Sequence, residues 1–109
     1  MIYNKPAIIV HTCDKEPYIG IWDKFISAFE CTFPLELDWP IYFVNEEVDY
    51  NWGYAKQIKT GKGEWSDRLK IALNQIPEEH ILYLQEDFLL LNVNKSLLEQ
   101  AYEIHYREN

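Results

Sequence analysis

Short apolar runs and amphipathic segments alternate along the chain. The runs PAIIVHT (Pro6–Thr12) and IYFV (Ile41–Val44) are rich in β-branched and aromatic residues, and both predict buried strands. Between them, four large apolar residues recur at the spacing of one helical face: Trp22, Phe25, Ile26 and Phe29. The first half of the chain therefore predicts a strand, a helix and a second strand.

The second half of the chain continues this alternation. A brief strand is predicted around Ile58, ahead of the turn residues Gly61 and Gly63. The next helix starts near Ser66 and stops at Pro77, which cannot continue it. Its predicted inward face consists of Leu69, Ala72, Leu73 and Ile76. The run HILYL predicts another buried strand, and the last segment predicts a helix with three inward residues, Leu97, Leu98 and Ala101.

Strands that alternate with helices are typical of parallel sheets joined by right-handed crossovers. A chain of 109 residues is the size of one domain. The predicted fold class is α/β, a three-layer, open, mostly parallel sheet of roughly three to five strands with helices on both faces. Because such a sheet is thin, we expect an exposed edge strand that pairs with a second copy of the chain.

The charge of the chain narrows its partners. A formal net charge of −8 argues against nucleic acid or an anionic membrane surface. No apolar run is long enough for a transmembrane segment, and the N-terminal run is too short for a signal peptide, so we predict a cytoplasmic protein.

One stretch departs from the acidic average: five of the ten basic residues fall in it, namely Lys56, Lys59, Lys62, Arg68 and Lys70. This stretch is either a solvated face or an anion-binding segment.

Polar residues follow each predicted strand at its carboxyl end, which is where open parallel sheets bind ligands. They are Thr12, Cys13 and Asp14 after the first strand, Asn45, Glu46 and Glu47 after the second, and Gln85, Glu86 and Asp87 after HILYL. The last group interrupts an apolar run, and an ionised carboxylate without a partner would be costly to bury there. The acids are therefore either solvated at a strand end or ligands of a hard cation such as Mg²⁺ or Mn²⁺.

The segment GEWSDRLKIALNQIPEEHILYLQEDFLLL resembles the donor-binding segment of GT-A glycosyltransferases, particularly bacterial enzymes of surface-polysaccharide or lipopolysaccharide biosynthesis. The opening AIIVHTCDKEPY is similar to the first strand and nucleotide-contacting loop of that family, and LYLQEDF is the most specific part of the likeness. The resemblance implies a Rossmann-like half-domain that binds a nucleotide-diphospho-sugar through a divalent metal, Mn²⁺ or Mg²⁺.

The resemblance also implies roles for individual residues. Asp87 matches the metal-binding acid and Glu86 its neighbour, which is also a candidate for donor binding. Thr12 and Asp14 match the loop that lines the nucleotide. Other donor-binding candidates are Ser66 and Arg68, on the helix that flanks the donor, and Asn45, which ends the second strand.

The chain departs from the family pattern in two ways. Gln85 occupies the place of the first acid of an Asp-x-Asp element. The family continues well beyond this motif into the acceptor half, which supplies the catalytic base, and no residue here matches that half. We therefore expect residues 1–109 to be one nucleotide-sugar-binding domain, incomplete relative to the family and inactive on its own. The alternative is a small acidic binding or inhibitor protein that presents its carboxylates to a basic partner.

Overall fold

The chain forms a four-stranded, all-parallel sheet with α-helices on both faces, which confirms the predicted α/β class. The computed structural model describes residues 4–85 and 95–108. The strands are β1 Ala7–His11, β2 Ile41–Asn45, β3 Ala55–Lys59 and β4 Ile81–Gln85. The α-helices are α1 Trp22–Thr32, α2 Trp65–Leu73 and α3 Lys95–Glu108, and short 3₁₀ turns cover Ile19–Ile21 and Leu35–Leu37.

Side chains of β1 alternate between two cores on opposite faces of the sheet. Ile8 and Val10 pack into the larger core, which holds the buried face of α1, Tyr102 of α3 and several aromatic rings. Ala7 and Ile9 pack into the smaller core, together with Ala72 and Ile76. The chain thus has three layers, with α1 and α3 on one side of the sheet and α2 on the other.

The strand order is β3-β2-β1-β4, so the direction of winding reverses beside β1. The connection through α1 places β2 on one side of β1, and the connection through α2 places β4 on the other side. All four carboxyl ends lie at one edge of the sheet, and His11 at the end of β1 is in register with Gln85 at the end of β4. The crevice that a parallel sheet offers to a ligand therefore lies between the ends of β1 and β4.

Two helices are rotated relative to their predicted inward faces. In α2, Ala72 and the following Ile76 are buried as predicted, but the prediction for Leu73 was wrong because its side chain is 41% exposed. Arg68 is buried instead, and the positions 68, 72 and 76 form the inward line at a spacing of four residues. A charged residue on this line is what apolar periodicity could not show.

In α3 the prediction for Ala101 was also wrong, since Ala101 is exposed and the neighbouring Tyr102 is buried. Tyr102 packs its ring against Trp39 and donates a 2.6 Å hydrogen bond from Oη to the carbonyl oxygen of Asn4. Leu98 is half-buried, one turn earlier on the same face. The side chain of Leu97 is not among those that the structure describes. Leu98 and Tyr102 therefore lie on the inward face of α3.

Within the described residues, none of the helices has both the length and the apolar character that a membrane span requires.

Candidate functional site

Two polar clusters lie at the carboxyl edge of the sheet, and they differ in how their hydrogen bonds are satisfied. The switch-point cluster is formed by five residues around the ends of β1 and β4: His11, Trp65, Arg68, Tyr83 and Gln85. The loop cluster lies at the end of β2 and is formed by Asp14, Asn45, Gln57 and the backbone of residues 46–48. The first cluster faces α2, and the second fixes the connection between β2 and β3.

Arg68 is the cation of the switch-point cluster, and it is buried to 1% exposure. Its Nη2 donates to the carbonyl oxygen of Thr12 at 2.7 Å, and its Nε donates to Oγ1 of Thr60 at 2.9 Å. Both partners are neutral, and none of the ion pairs found within residues 4–85 and 95–108 includes Arg68. Because a charge removed from water is stable only with strong compensation, this guanidinium is suited to an anion.

Tyr83 connects the two strands of the switch-point cluster through its hydroxyl. Its Oη receives hydrogen bonds from Nε1 of Trp65 at 3.0 Å and from Nε2 of Gln85 at 3.2 Å. These donors occupy both lone pairs of the hydroxyl oxygen, so the phenolic proton is directed to Nδ1 of His11, which lies 2.8 Å away. The arrangement selects the neutral tautomer of His11 that carries its proton on Nε2.

The Nε2 atom of His11 is buried and has no hydrogen-bond partner in the described part of the chain. The imidazole is fully buried and lies against the ring of Trp65, with ring centroids 3.9 Å apart. Burial, and secondarily the charge of Arg68, lowers the pKa of His11 to about 4, so the ring is neutral near pH 7. A buried N–H without an acceptor costs about 1–3 kcal/mol. This atom is the exception among the buried side-chain nitrogen and oxygen atoms of the described residues.

The loop cluster, in contrast, has its polar groups engaged. The Asp14 carboxylate accepts from Nδ2 of Asn45 at 2.8 Å and from the backbone amides of Glu46, Glu47 and Val48 at 3.3, 2.7 and 2.9 Å. Burial acts to raise the pKa of Asp14, but the hydrogen bonds from Asn45 and these amides outweigh it and hold the pKa below its usual value. This carboxylate therefore fastens the β2–β3 connection.

Asn45 is the buried centre of the loop cluster. Both hydrogens of its Nδ2 are used, one by Asp14 and one by the carbonyl oxygen of Val48, each at 2.8 Å. Its Oδ1 accepts from Nε2 of Gln57 at 2.6 Å. Asn45 is thus a donor-binding candidate whose described contacts are structural.

The remaining predicted site residues lie in different environments. Thr12 is buried, and its Oγ1 accepts a 2.9 Å hydrogen bond from Nε1 of Trp22, while its carbonyl oxygen receives Arg68. Ser66 lies in the first turn of α2 with an exposed side chain. Glu86 and Asp87 lie outside the described residues. The fold therefore brings Thr12 and Arg68 into contact, and it places Asp14 and Asn45 together in the neighbouring loop cluster.

The basic stretch between Lys56 and Lys70 does not form one face. Nζ of Lys59 lies 2.5 Å from Oδ1 of Asp49, and Nζ of Lys62 lies 4.0 Å from Oε1 of Glu47, both in exposed pairs. The side chain of Arg68 is buried between α2 and the sheet, whereas Lys70 is exposed. Exposed pairs of this kind contribute little to stability. Arg68 is therefore the member of the stretch with a defined position at the candidate site.

Within the described residues, no group of three or more His, Cys, Asp and Glu side chains is arranged to hold a metal ion. Asp14 is the described acid at the end of β1, and its oxygens are already occupied by the loop cluster. The predicted metal ligands Asp87 and Glu86 thus stay a prediction that rests on the sequence.

Comparison with known proteins returns no match: no protein-family model, no curated protein and no solved structure is significantly similar to this chain. The fold and the contacts at the edge of the sheet are therefore the basis for any functional proposal.

Sequence reasoning left several residues of the switch-point cluster unassigned. His11 ends a buried strand, where a hydrogen-bonded structural histidine is the more frequent outcome. Trp65, at the start of a helix beside a glycine-rich turn, is compatible with core packing or with ligand stacking. Tyr83 lies inside HILYL, a run that indicates only a buried strand. A signal was present in its spacing from Gln85, because residues two apart on a strand share a face.

Proposed function

We propose that this chain is the donor-binding part of a GT-A-type glycosyltransferase, and that it binds a nucleotide-diphospho-sugar at the carboxyl edge of the sheet between β1 and β4. Three features support the proposal. The parallel sheet reverses its winding direction at this point, the ends of β1 and β4 are in register there, and the switch-point cluster supplies buried polar groups. Ligands bind at such positions in open α/β sheets.

The observation that carries the proposal is the environment of Arg68. A buried guanidinium bonded to the Thr12 carbonyl and the Thr60 hydroxyl lacks a carboxylate partner in the described residues. Arginine recognises phosphate oxygens through several donors in one plane. In a chain with a net charge of −8, a fixed cation at the ligand edge favours a phosphate-bearing ligand.

Glu86 and Asp87 are the residues we propose as metal ligands, on the basis of the LYLQEDF likeness. A divalent cation bound there would neutralise the diphosphate of the departing nucleotide. Arg68 and Thr12 would orient the donor beside it, and we assign no catalytic base to this chain. The biosynthesis of a surface polysaccharide or lipopolysaccharide is the corresponding process.

Replacement of the proposed metal ligand tests this function. Asp87→Ala should abolish Mn²⁺-dependent binding of nucleoside diphosphates, because the ion then loses its principal carboxylate. Titration calorimetry of the 109-residue chain, with uridine and guanosine diphosphates each in the presence and absence of Mn²⁺, measures the effect. Asp67→Ala, in the first turn of α2, is the matched control and should bind as the wild type does.

Equal affinity in the wild type and Asp87→Ala would contradict the metal assignment. A wild-type chain that binds neither nucleotide, and instead binds a basic protein surface, would favour the acidic binding protein over the transferase.

A further inference from the structure

His11 is the described residue whose environment the proposed function leaves unexplained. Its imidazole is fully buried, and the hydrogen bond between Nδ1 and Tyr83 fixes the orientation of the ring. The other nitrogen, Nε2, has no partner in the described residues. Buried polar groups are hydrogen-bonded in the great majority of cases, so an orphan N–H in such a fixed ring calls for an acceptor.

The hydrogen bonds around Tyr83 determine what His11 offers. Trp65 and Gln85 both donate to Oη of Tyr83, which leaves the phenolic proton for Nδ1 of His11. The imidazole consequently presents a donor, not a lone pair, at Nε2. A donor at Nε2 selects an acceptor atom and disfavours a metal ion there, since a metal would need a lone pair at Nε2, and in this tautomer the lone pair is on Nδ1 and accepts from Tyr83.

Arg68 makes an anionic acceptor the best match. The guanidinium lies next to the same part of the sheet, because it bonds the carbonyl oxygen of Thr12, the residue after His11. Both side chains also contact Trp65: the His11 ring centroid lies 3.9 Å from that of Trp65, and Cζ of Arg68 lies 5.6 Å from it. A neutral N–H donor and a cation around one aromatic ring suit a phosphate oxygen.

We propose that His11 is a ligand-binding residue, and that its Nε2–H together with Arg68 forms a buried phosphate subsite on the α2 side of the switch point. The inference rests on the proposed function for the identity of its ligand, the diphosphate of a nucleotide-sugar. It adds a residue, a protonation state and a position for the phosphate. Because Nε2 is buried, an anion can reach it only after a group that covers it moves. The candidate for this movement is Trp65, which packs on the imidazole and follows closely after Gly61 and Gly63 in the chain.

Inorganic pyrophosphate, without divalent metal and with a chelator present, is the probe that isolates this subsite. In the wild-type chain labelled with ¹⁵N at histidine, pyrophosphate should shift the Nε2 resonance of His11. The resonances of His80 and His105 should stay in place, and single variants at these two positions assign them. A purely structural histidine would not respond in this way, so the readout separates binding from packing.

Affinity measurements on variants complete the test. His11→Phe keeps an aromatic ring against Trp65 but removes both nitrogens, and Arg68→Met removes the cation. Each should weaken pyrophosphate binding at least tenfold. His80→Asn, in which the changed residue pairs with His105 at 3.1 Å on the α3 side of the sheet, should bind within twofold of the wild type.

Three outcomes overturn the inference: the wild type does not bind pyrophosphate, pyrophosphate binds without shifting the His11 resonance, or His11→Phe binds it with wild-type affinity. If a variant does not fold, the resonance experiment on the wild type decides alone. Metal-free pyrophosphate binding that depends on His11, with no Mn²⁺-dependent nucleotide binding, would retain the subsite and remove the sugar-nucleotide function, so the two failures are distinguishable.

Discussion

The loop cluster and the switch-point cluster lie at the same edge of one sheet, yet they use their polar groups in opposite ways. In the loop cluster, Asp14 accepts hydrogen bonds from Asn45 and from three consecutive backbone amides. In the switch-point cluster, Arg68 has only neutral partners and His11 has a nitrogen without any, as far as the described chain extends. A satisfied network stabilises a loop, whereas an unsatisfied one lowers stability unless a ligand completes it.

This difference shows why residue type alone is a poor guide to function. Asp14 lies in the loop after β1 and Arg68 lies in α2, and both charged residues were donor-binding candidates. Their surroundings separate them, because a carboxylate with four donors has little remaining capacity for a ligand, and a guanidinium without an anion retains it.

The largest effect on stability is expected in the loop cluster. Asp14→Ala leaves three backbone amides and the Asn45 amide without their acceptor, so the free energy of unfolding should fall by about 3 kcal/mol at pH 7. Urea denaturation followed by circular dichroism measures this change. Glu36→Ala, at an exposed position, is the control and should stay within about 0.5 kcal/mol of the wild type.

Asp14→Ala should also change how the stability of the chain depends on pH in the acid range. Because the pKa of Asp14 is lowered in the folded chain, its contribution is present above 3.8, the ordinary value, and is lost as the pH falls through the folded value. Asp14→Ala should therefore lose less stability than the wild type below pH 4. A variant as stable as the wild type at pH 7 would mean that the loop cluster is not structural.

The next largest effect on stability concerns His11. Here the pH dependence arises from a buried group that stays neutral in the folded chain, and not from a carboxylate that stays charged. Its pKa is lowered from 6.5 to about 4, mainly by burial and secondarily by the charge of Arg68. Between these two pH values, the unfolded chain therefore binds a proton at His11 and the folded chain does not. The resulting stability is fully present above pH 6.5 and is lost as the pH falls towards 4, which amounts to about 2 kcal/mol between pH 7 and pH 5.

Urea denaturation of the wild type and His11→Phe at these two pH values measures this contribution. The difference between pH 7 and pH 5 should shrink by about 2 kcal/mol in His11→Phe, whereas His80→Asn should retain the portion due to His11. An unchanged pH dependence in His11→Phe would show that the imidazole is accessible to protons, and it would remove the distinction between the clusters.

The smallest effect is expected from the exposed lysines of the basic stretch. Lys59→Gln and Lys62→Gln break solvent-exposed pairs with Asp49 and Glu47, so each should change stability by less than about 1 kcal/mol. Their combined effect on nucleoside diphosphate binding should be about two- to threefold and should vanish at high salt, since exposed charges are screened. Calorimetry at low and high salt measures this. A loss of affinity as large as that expected for Arg68→Met would show that the exposed lysines, and not Arg68, bind the anion.

Much of the architecture was predictable from local patterns. The β-branched runs before His11 and before Asn45 became β1 and β2, and the residues at the predicted helical spacing, Trp22 to Phe29, became the buried face of α1. The alternation of elements predicted a parallel sheet with two covered faces. These features follow from burial of apolar side chains with the period of a strand or a helix, which is a property of neighbouring residues.

The rotation of two helices was less accessible. Leu73 and Ala101 are apolar residues at plausible positions, but Arg68 and Tyr102 occupy the inward lines instead. Their burial depends on partners far away in the sequence, the carbonyl oxygens of Thr12 and Asn4. A periodicity argument treats arginine as exposed and cannot anticipate a hydrogen bond across 56 residues.

By itself, then, the sequence determined the class of the fold, the carboxyl edge as the place where its polar residues gather, and an acidic chain with one basic stretch. Only the tertiary structure decided which of those polar residues are already satisfied. It joined Asp14 to the loop after β2, and it placed the side chains of Arg68 and His11 beside Trp65, between α2 and the sheet. The physical reason is that a strand or helix is specified by residues a few positions apart, whereas the pairing of buried polar groups depends on segments that meet only when the sheet is assembled.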